Sequence, residues 1–310
     1  MEDKISVIMS VYKESKEELE ASIYSILNQT YTNIEFIIVI DFPEEKWRID
    51  YIKAIDDLRI KLIINEKNIG LPNSLNEGLK YATGKYIARM DADDISIINR
   101  LEIQKKYIEE KDCDLCGSNI QCFFENMNQQ LACYPRKSKY VNKLLIIKNC
   151  IAHPTYFAKA EVFKKLNGYR NIFTCEDYDF LLRALNKGFK LENVQETLLK
   201  YRLSKESISR ANPGKQELIA EFLRNNYKNN KEPSIEELEM YLKSNYFKKK
   251  LKIFDKYCSL KNKRALYRNK KFPNYYLYTI RIVMCVRCSF KDIYNKIYGK
   301  CILYLDRRSK

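Results

Sequence analysis

No glycine-rich loop follows any strand-like segment of this 310-residue chain, which has only eight glycines. A nicotinamide-dependent dehydrogenase would carry Gly-x-Gly-x-x-Gly at such a place. A nucleotidyltransferase would carry a glycine-rich, basic phosphate loop after its first strand. Ser10-Val11-Tyr12-Lys13-Glu14-Ser15 fits neither pattern, which counts against both classes. No uninterrupted apolar stretch approaches the ~20 residues that cross a bilayer. The best candidate, Tyr275 to Val286, is short and contains Arg281. The opening residues lack the basic, apolar and small-residue succession of a signal peptide, so a cytoplasmic location is expected. There is no internal repeat and no low-complexity linker. Histidine occurs once, as His153.

Ten cysteines are present, and without a secretory signal they read as reduced thiols. The pairs Cys113/Cys116 and Cys285/Cys288 have metal-site spacing within each pair. They are too far apart to resemble a four-cysteine zinc site, whose pairs fall within roughly 20 residues. Small buried hydrophobes are the expected role.

The formal charge of +16 is unevenly placed. Residues 211–310 hold 24 Lys+Arg against 9 Asp+Glu, a net of +15, which leaves +1 for residues 1–210. This shift, at the turn-forming Ala211-Asn212-Pro213-Gly214, sets a boundary between 1–210 and 211–310.

Residues 1–90 alternate strand and helix patterns. Ile5 to Val11 and Ile60 to Ile64 read as strands. Ile34 to Ile40 is a continuous apolar run, the mark of a strand buried on both faces. Tyr86 to Met90 supplies a fourth strand. Ser15 and Glu18 form a capping box ahead of a helix that carries Leu19, Ile23, Ile26 and Leu27 on one face. Helices are also expected over Glu44 to Ile55 and Leu71 to Ala82. This alternation predicts an α/β fold, a mostly parallel sheet with helices on both faces. Ligands of such sheets bind beyond the carboxyl ends of the strands. Ser10-Val11-Tyr12, Asp41 and Asp91-Ala92-Asp93-Asp94 lie there. Beyond residue 95 the pattern is mixed. Helices are expected at Asn99 to Glu110, Lys139 to Lys148 and Ala160 to Leu166, with short strands over Leu115 to Phe124. Another helix runs to Lys187, capped by Thr174 with Asp177.

The Asp91-Ala92-Asp93-Asp94 carboxylates repel one another unless a cation or solvent relieves them. Oxygen-rich clusters suit hard divalent ions such as Mg²⁺ and Mn²⁺. The alternatives are a solvated acidic turn, or Asp94 capping the next helix.

In this setting the chain resembles family 2 glycosyltransferases, which carry the GT-A fold. The likeness spans about residues 4–210. It rests on Ile5 to Tyr12, Ser25-Ile26-Leu27-Asn28-Gln29-Thr30-Tyr31, and Asn68-Ile69-Gly70-Leu71 with Asn76-Glu77-Gly78-Leu79. It continues in Ala82 to Asp94 and in Glu176-Asp177-Tyr178-Asp179 with Arg183. Such a resemblance implies inverting transfer of a sugar from a nucleotide diphosphate donor, UDP by family habit, to an acceptor hydroxyl. Residues 1–98 would bind the nucleotide sugar and 99–210 would serve the acceptor. Ser10, Val11, Tyr12 and Glu14 would line base and ribose, and Asp41 would accept from the base. Gly70 would allow close backbone approach, with Asn73, Asn76, Asp91 and Ala92 beside the donor. Asp93, with Asp91 and Asp94, would hold Mn²⁺ or Mg²⁺. Asp177 would be the general base, with Glu176 its rival. As an alternative, Asp177 is a first-turn acid that caps its helix. His153 and Arg183 are assigned to the acceptor side, with a structural histidine as the alternative.

Three departures stand out. Ile40-Asp41 replaces a pair of acids, and Phe42-Pro43 replaces Gly-Ser. Ser204 stands where many members have a histidine, so Arg202 or Lys205 would have to supply positive charge. Residues 241–310 hold 20 Lys+Arg against 3 Asp+Glu, mixed with aromatics. The mixture suits an anionic membrane surface, where a glycan or lipid-linked acceptor of surface polysaccharide assembly would sit. A solvated helical appendage is the other reading. Nucleic acid is disfavoured, because no recognition motif appears. A catalytically degenerate scaffold is the remaining rival, against which the intact acidic residues speak.

Overall fold

A computed structural model describes residues 2–124, 127–172, 174–203, 212–266 and 286–308. Contacts divide these into two compact units. The first holds the described residues of 1–145, 149–172 and 176–204; the second holds 146–148, 173–175 and the described residues from 205 onward.

In the first unit, β1 (Ile5–Val11), β2 (Ile34–Ile40), β3 (Ile60–Ile64) and β4 (Tyr86–Asp91) pair in the parallel order β3-β2-β1-β4. Every residue of β2 is buried, as its unbroken apolar run requires. Helices α1 (Lys16–Leu27), α2 (Lys46–Lys53) and α3 (Leu71–Lys80) make the crossovers. The expected capping box starts α1: Ser15 Oγ accepts from Glu18 N at 3.2 Å, and Glu18 Oε2 accepts from Ser15 N at 2.9 Å.

A two-residue strand β5 (Ile95–Ser96) and α4 (Arg100–Lys111) follow. Then come β6 (Leu115–Phe124), β7 (Met127–Ala132), α5 (Ser138–Leu145), β8 (Phe157–Lys159), α6 (Ala160–Leu166), α7 (Glu176–Asn186) and β9 (Leu191–Arg202). The sheet continues β4-β8-β6-β9-β5, with β7 on β6. Strand β8 is antiparallel to both β4 and β6.

Two expectations are corrected. Leu115 to Phe124 is one ten-residue strand rather than several short ones. Its register against β9 shifts between Ser118 and Ile120, which breaks the period-two alternation that a long strand otherwise shows. Thr174 does not cap α7. It sits at φ 58°, and its buried hydroxyl has no hydrogen-bond partner.

The second unit is helical: α8 (Pro213–Lys228), α9 (Ile235–Lys243), α10 (Asn245–Leu266) and α11 (Val286–Arg308). Its buried side chains include Leu218, Leu223, Tyr227, Phe247, Tyr257 and Ile302. A capping box of Ser234 and Glu237 starts α9. Cys285, Ser204, Lys205 and Ala211, all considered above, lie outside the described residues, as does most of Tyr275 to Val286. Cys113 and Cys116 are buried, and burial pushes the Cys113 thiol up to about 12, so both are protonated packing residues.

Candidate functional site

Strand β4 alternates Tyr86, Ala88 and Met90 into the main core with Ile87, Arg89 and Asp91 on the opposite face. Asp91 therefore emerges at the carboxyl edge directly beyond Arg89, and the two form an ion pair. The chain then turns through Ala92, Asp93 and Asp94 into β5. Ligand atoms of Asp91, Asp93 and Asp94 all lie within 4.8 Å of one another. Asp94 is fully buried; its Oδ1 accepts from Arg202 N at 2.8 Å, and its Oδ2 has no hydrogen-bond partner. Asp94 thus fastens the end of β9 instead of capping a helix. The Arg202 side chain donates to Asp93 O at 2.9 Å and lies 3.5 Å from Glu18. This places a positive charge beside the cluster; of the two candidates Arg202 and Lys205, Lys205 lies outside the described residues.

Burial, then the charge of Asp91, then that of Glu14, pushes Asp93 up to about 7. Burial and the neighbouring Asp91 and Asp93 raise Asp94 well above the carboxylate range. A buried acidic group of this kind stays ionised only beside added positive charge. The oxygen donors, the unpartnered Asp94 Oδ2 and the shortage of counter-charge together fit a hard divalent cation.

The neighbouring loops are held by the residues expected to bind the donor. Asp41, 3% exposed, accepts from Asn65 Nδ2, Ile69 N and Gly70 N at 2.9–3.0 Å. Its carboxylate shapes the loop 65–70. Gly70 sits at φ 84° with open space where a Cβ would stand, so backbone conformation alone selects glycine there. Asn73 Nδ2 donates to Ile69 O at 2.7 Å. Asn76 exchanges two 2.8 Å hydrogen bonds with the backbone of Tyr169, which corrects its assignment to the donor. Val11 and Ala92 are buried, so contacts of theirs to a ligand would run through backbone atoms. Tyr12 is exposed and packs edge-on against Phe42, with ring centroids 5.3 Å apart. Lys13 Nζ lies 5.1 Å from the Tyr12 ring centre and 4.7 Å from that of Phe42. Ser10 is partly buried at the end of β1. Glu14 turns its carboxylate back onto Tyr12 N at 2.7 Å, and burial raises its pKa.

Glu176 and Asp177 open α7. Asp177 Oδ2 accepts from Asn149 Nδ2 at 2.7 Å, and its Oδ1 accepts from Tyr178 N at 2.6 Å. Burial pushes Asp177 up to about 6, opposed by these donors and by Arg89. Burial and the adjacent Asp177 push Glu176 up to about 8. The two titrate as a pair, and the hydrogen bonds favour the anion on Asp177. Tyr156 links the two acidic sets: its carbonyl accepts from Arg89 N at 2.9 Å and its hydroxyl donates to Asp177 O at 3.2 Å, and the charge of Asp91 bears on Glu176.

Arg183 and His153 are corrected. Arg183 is 2% exposed and donates to Asp179 Oδ2, Leu166 O and Gly168 O at 2.6–2.9 Å. It fastens α7 to α6 and is not on an acceptor surface. His153 is buried, with its Nε2 3.0 Å from Tyr169 OH and its ring edge-on to Tyr156 and Tyr169. Burial and Arg89 lower its pKa well below the usual range, so it is a neutral packing residue. Asn149 was missed from sequence. Its one available signal was its position just before the Ile151-Ala152-His153-Pro154 segment.

Known proteins place this architecture. Residues 6–166, more than half of the chain, match the model of Glycosyl transferase family 2. An uncharacterized glycosyltransferase of Methanocaldococcus jannaschii is 37% identical over 233 residues, covering 73% of this chain and 80% of its own. The Escherichia coli O-antigen biosynthesis glycosyltransferase WbnJ is 38% identical over 217 residues, covering 67% and 83%. Another E. coli enzyme, the UDP-Glc:alpha-D-GlcNAc-diphosphoundecaprenol beta-1,3-glucosyltransferase WfgD, is 35% identical over 208 residues, covering 66% and 79%. Residues 1–349 of S. aureus TarS, crystallised with UDP-GlcNAc, share the fold at a TM-score of 0.61 and 15% identity. That match covers 99% of this chain and 92% of the other. With its mixed sheet, its acidic turn after β4 and its helical second unit, the chain belongs to glycosyl transferase family 2 and is a glycosyltransferase.

Proposed function

We propose that this enzyme moves a sugar from a UDP-sugar, with inversion, to a hydroxyl of a glycan or lipid-linked acceptor in bacterial surface polysaccharide assembly. The observation that carries this reading is a pair of acidic sets linked through Tyr156. The set after β4 suits a cation and a diphosphate. The set opening α7 holds one carboxylate ionised near neutrality beside a protonated neighbour. In the transfer, Asp177 takes the proton of the acceptor hydroxyl. That oxygen bonds to the anomeric carbon as the bond to the diphosphate breaks, and the nucleoside diphosphate leaves on the opposite face. Asp93, Asp94 and the remaining oxygen of Asp91 would hold a divalent ion, which when bound supplies positive charge to the leaving diphosphate. Asn149 orients Asp177. Residues 1–98 serve the donor, and 99–210 the acceptor.

The donor class is supported by TarS crystallised with UDP and UDP-GlcNAc and by the UDP-Glc named for WfgD. The acceptor class is supported by the names of WbnJ and WfgD. The second unit would bring the enzyme from the cytoplasm to an anionic membrane. On α10, Tyr246 and Ile253 are exposed among Lys248, Lys249, Lys252 and Lys256. On α11, Ile297, Tyr304 and Leu305 are exposed beside Lys300, Arg307 and Arg308. Among the described residues, no helix is long and apolar enough to cross a membrane.

A donor screen tests the reading: nucleoside diphosphate release from a panel of nucleotide sugars, with Mn²⁺, Mg²⁺ or EDTA. Release from one UDP-sugar, lost in EDTA, is the expected result. Release from none, with no nucleotide-induced rise in melting temperature, would favour a degenerate scaffold.

A further inference from the structure

Among the described residues four arginines are buried in the first unit, and three of them are used as buried arginines usually are. Arg183 spends its N–H groups on a carboxylate and two carbonyls. Arg100 donates to Gln104 Oε1 at 2.9 Å and to Arg89 O at 2.6 Å. Arg48 donates to Glu14 O through Nε and Nη2 at 3.1 and 2.8 Å and pairs with Glu45 at 2.6 Å. All three tie segments of the fold together.

Arg89 does not follow them. It is 3% exposed, and Nη2 pairs with Asp91 Oδ1. Its Nε and Nη1 are buried with no hydrogen-bond partner. A small cavity lies beside it, walled by Ile8, Leu75, Leu79, Ile87, Phe163 and Tyr169. Burying a guanidinium among such side chains costs several kcal/mol, and an apolar residue of similar volume would be tolerated at least as well by the fold. Hydrogen bonding does not account for the residue. Its charge does, because Arg89 stands one step beneath the acidic edge on the same face of β4 as Asp91. On β4 it lies two residues before Asp91, and Tyr156 ties it to α7, accepting from Arg89 N at 2.9 Å and donating to Asp177 O at 3.2 Å. Its charge favours the ionised forms of Asp93, Asp94, Glu176 and Asp177.

We propose that Arg89 is a positioning residue for sugar transfer: it fixes Asp91 from below and supplies a buried positive charge shared by the Asp91–Asp94 turn and the Glu176–Asp177 pair. It touches no substrate. Through the ion pair it takes one oxygen of Asp91 and leaves the other to the site. The proposal rests on the reading that these two acidic sets form the transfer site.

The test uses the full chain at pH 8 with Arg89→Met, Arg89→Lys and, as a control, Asp93→Asn. Mn²⁺ binding is followed by electron paramagnetic resonance without any nucleotide. Turnover of the responding nucleotide sugar and the melting temperature are read in parallel. Arg89→Met removes a positive charge from beside the acids, so Mn²⁺ should bind about threefold tighter or more. Turnover should nonetheless fall at least tenfold at saturating donor. Arg89→Lys should bind Mn²⁺ like the parent and recover part of the turnover. Opposite movement of metal affinity and turnover is something a merely structural role would not produce. Weaker Mn²⁺ binding in Arg89→Met in step with a lower melting temperature, and no recovery in Arg89→Lys, would overturn the proposal. If Arg89→Met does not fold, Arg89→Gln carries the same comparison. Failure of all three variants to fold would mark the residue as structural and also overturn it. A parent that binds no Mn²⁺ would remove the underlying site reading, which the Asp93→Asn control separates from an effect of Arg89.

Discussion

At the amino edge of the parallel strands Glu35 is buried and ionised; at the carboxyl edge buried Asp94 and half-buried Asp93, like half-buried Glu176 at the start of α7, are driven toward their protonated forms. Around Glu35 the donors are complete. Its Oε1 accepts from Ser6 Oγ at 2.5 Å, Thr83 N at 2.6 Å and Thr83 Oγ1 at 2.9 Å, while Lys61 lies 2.6 Å from Oε2. Gly84 makes this packing possible, since a Cβ there would fall 2.7 Å from Ser6 N. Burial works against ionisation, but Lys61, Ser6 and Thr83 together outweigh it and bring the carboxyl down to about 2. At the other edge burial prevails, and Arg89 and Arg202 do not balance the acids. The comparison teaches where the molecule is finished and where it is waiting. A satisfied buried acid belongs to the fold, and an unsatisfied cluster belongs to a ligand.

The largest predicted effect is at the waiting edge. Asp93→Asn should lower transfer at least about a hundredfold, because several kcal/mol of charge stabilisation at the diphosphate go with it. Its melting temperature in EDTA should not fall. Unchanged turnover would break the comparison.

Glu35→Gln should do the reverse, leaving chemistry alone and destabilising the fold by about 2 kcal/mol at pH 7. The folded pKa lies below the ordinary 4.5, so this stabilisation is full above that value and is lost as pH falls toward about 2. Urea unfolding of parent and variant at pH 7, 4 and 3 should therefore converge at the acid end.

Glu176→Gln gives the smallest effect and the opposite sign. The folded pKa of Glu176, about 8, lies above the ordinary 4.5, so the parent loses stability as pH rises between the two. The variant should be more stable than the parent by about 1 kcal/mol at pH 8 and above, and equal to it near pH 4. Melting temperatures across that range check the sign; a variant less stable at pH 8 would place Glu176 with Glu35.

The satisfied part of the molecule was legible in the sequence where one segment decides it. The unbroken run Ile34 to Ile40 and the Ser15–Glu18 box behaved as local rules predict. The long β6 was hidden by its register shift. The acidic turn stood out because three aspartates fall within four residues; that Asp94 fastens the end of β9 depends on Arg202, 108 positions away. The residues misplaced or missed from sequence have roles fixed by distant partners. Asn76 binds the backbone of a residue 93 positions away. Arg183 reaches back 17 positions to Leu166. Asn149 meets Asp177 across 28. Arg89 was visible within a motif, yet its missing partners could be seen only once its surroundings were in place.

The most direct test of the account is Asp177→Asn, assayed with the nucleotide sugar that the parent uses. The account predicts donor affinity within about threefold of the parent and transfer reduced by about 10²–10⁴, the range for losing a general base. Transfer at the parent rate would contradict it, as would donor binding lost in step with activity.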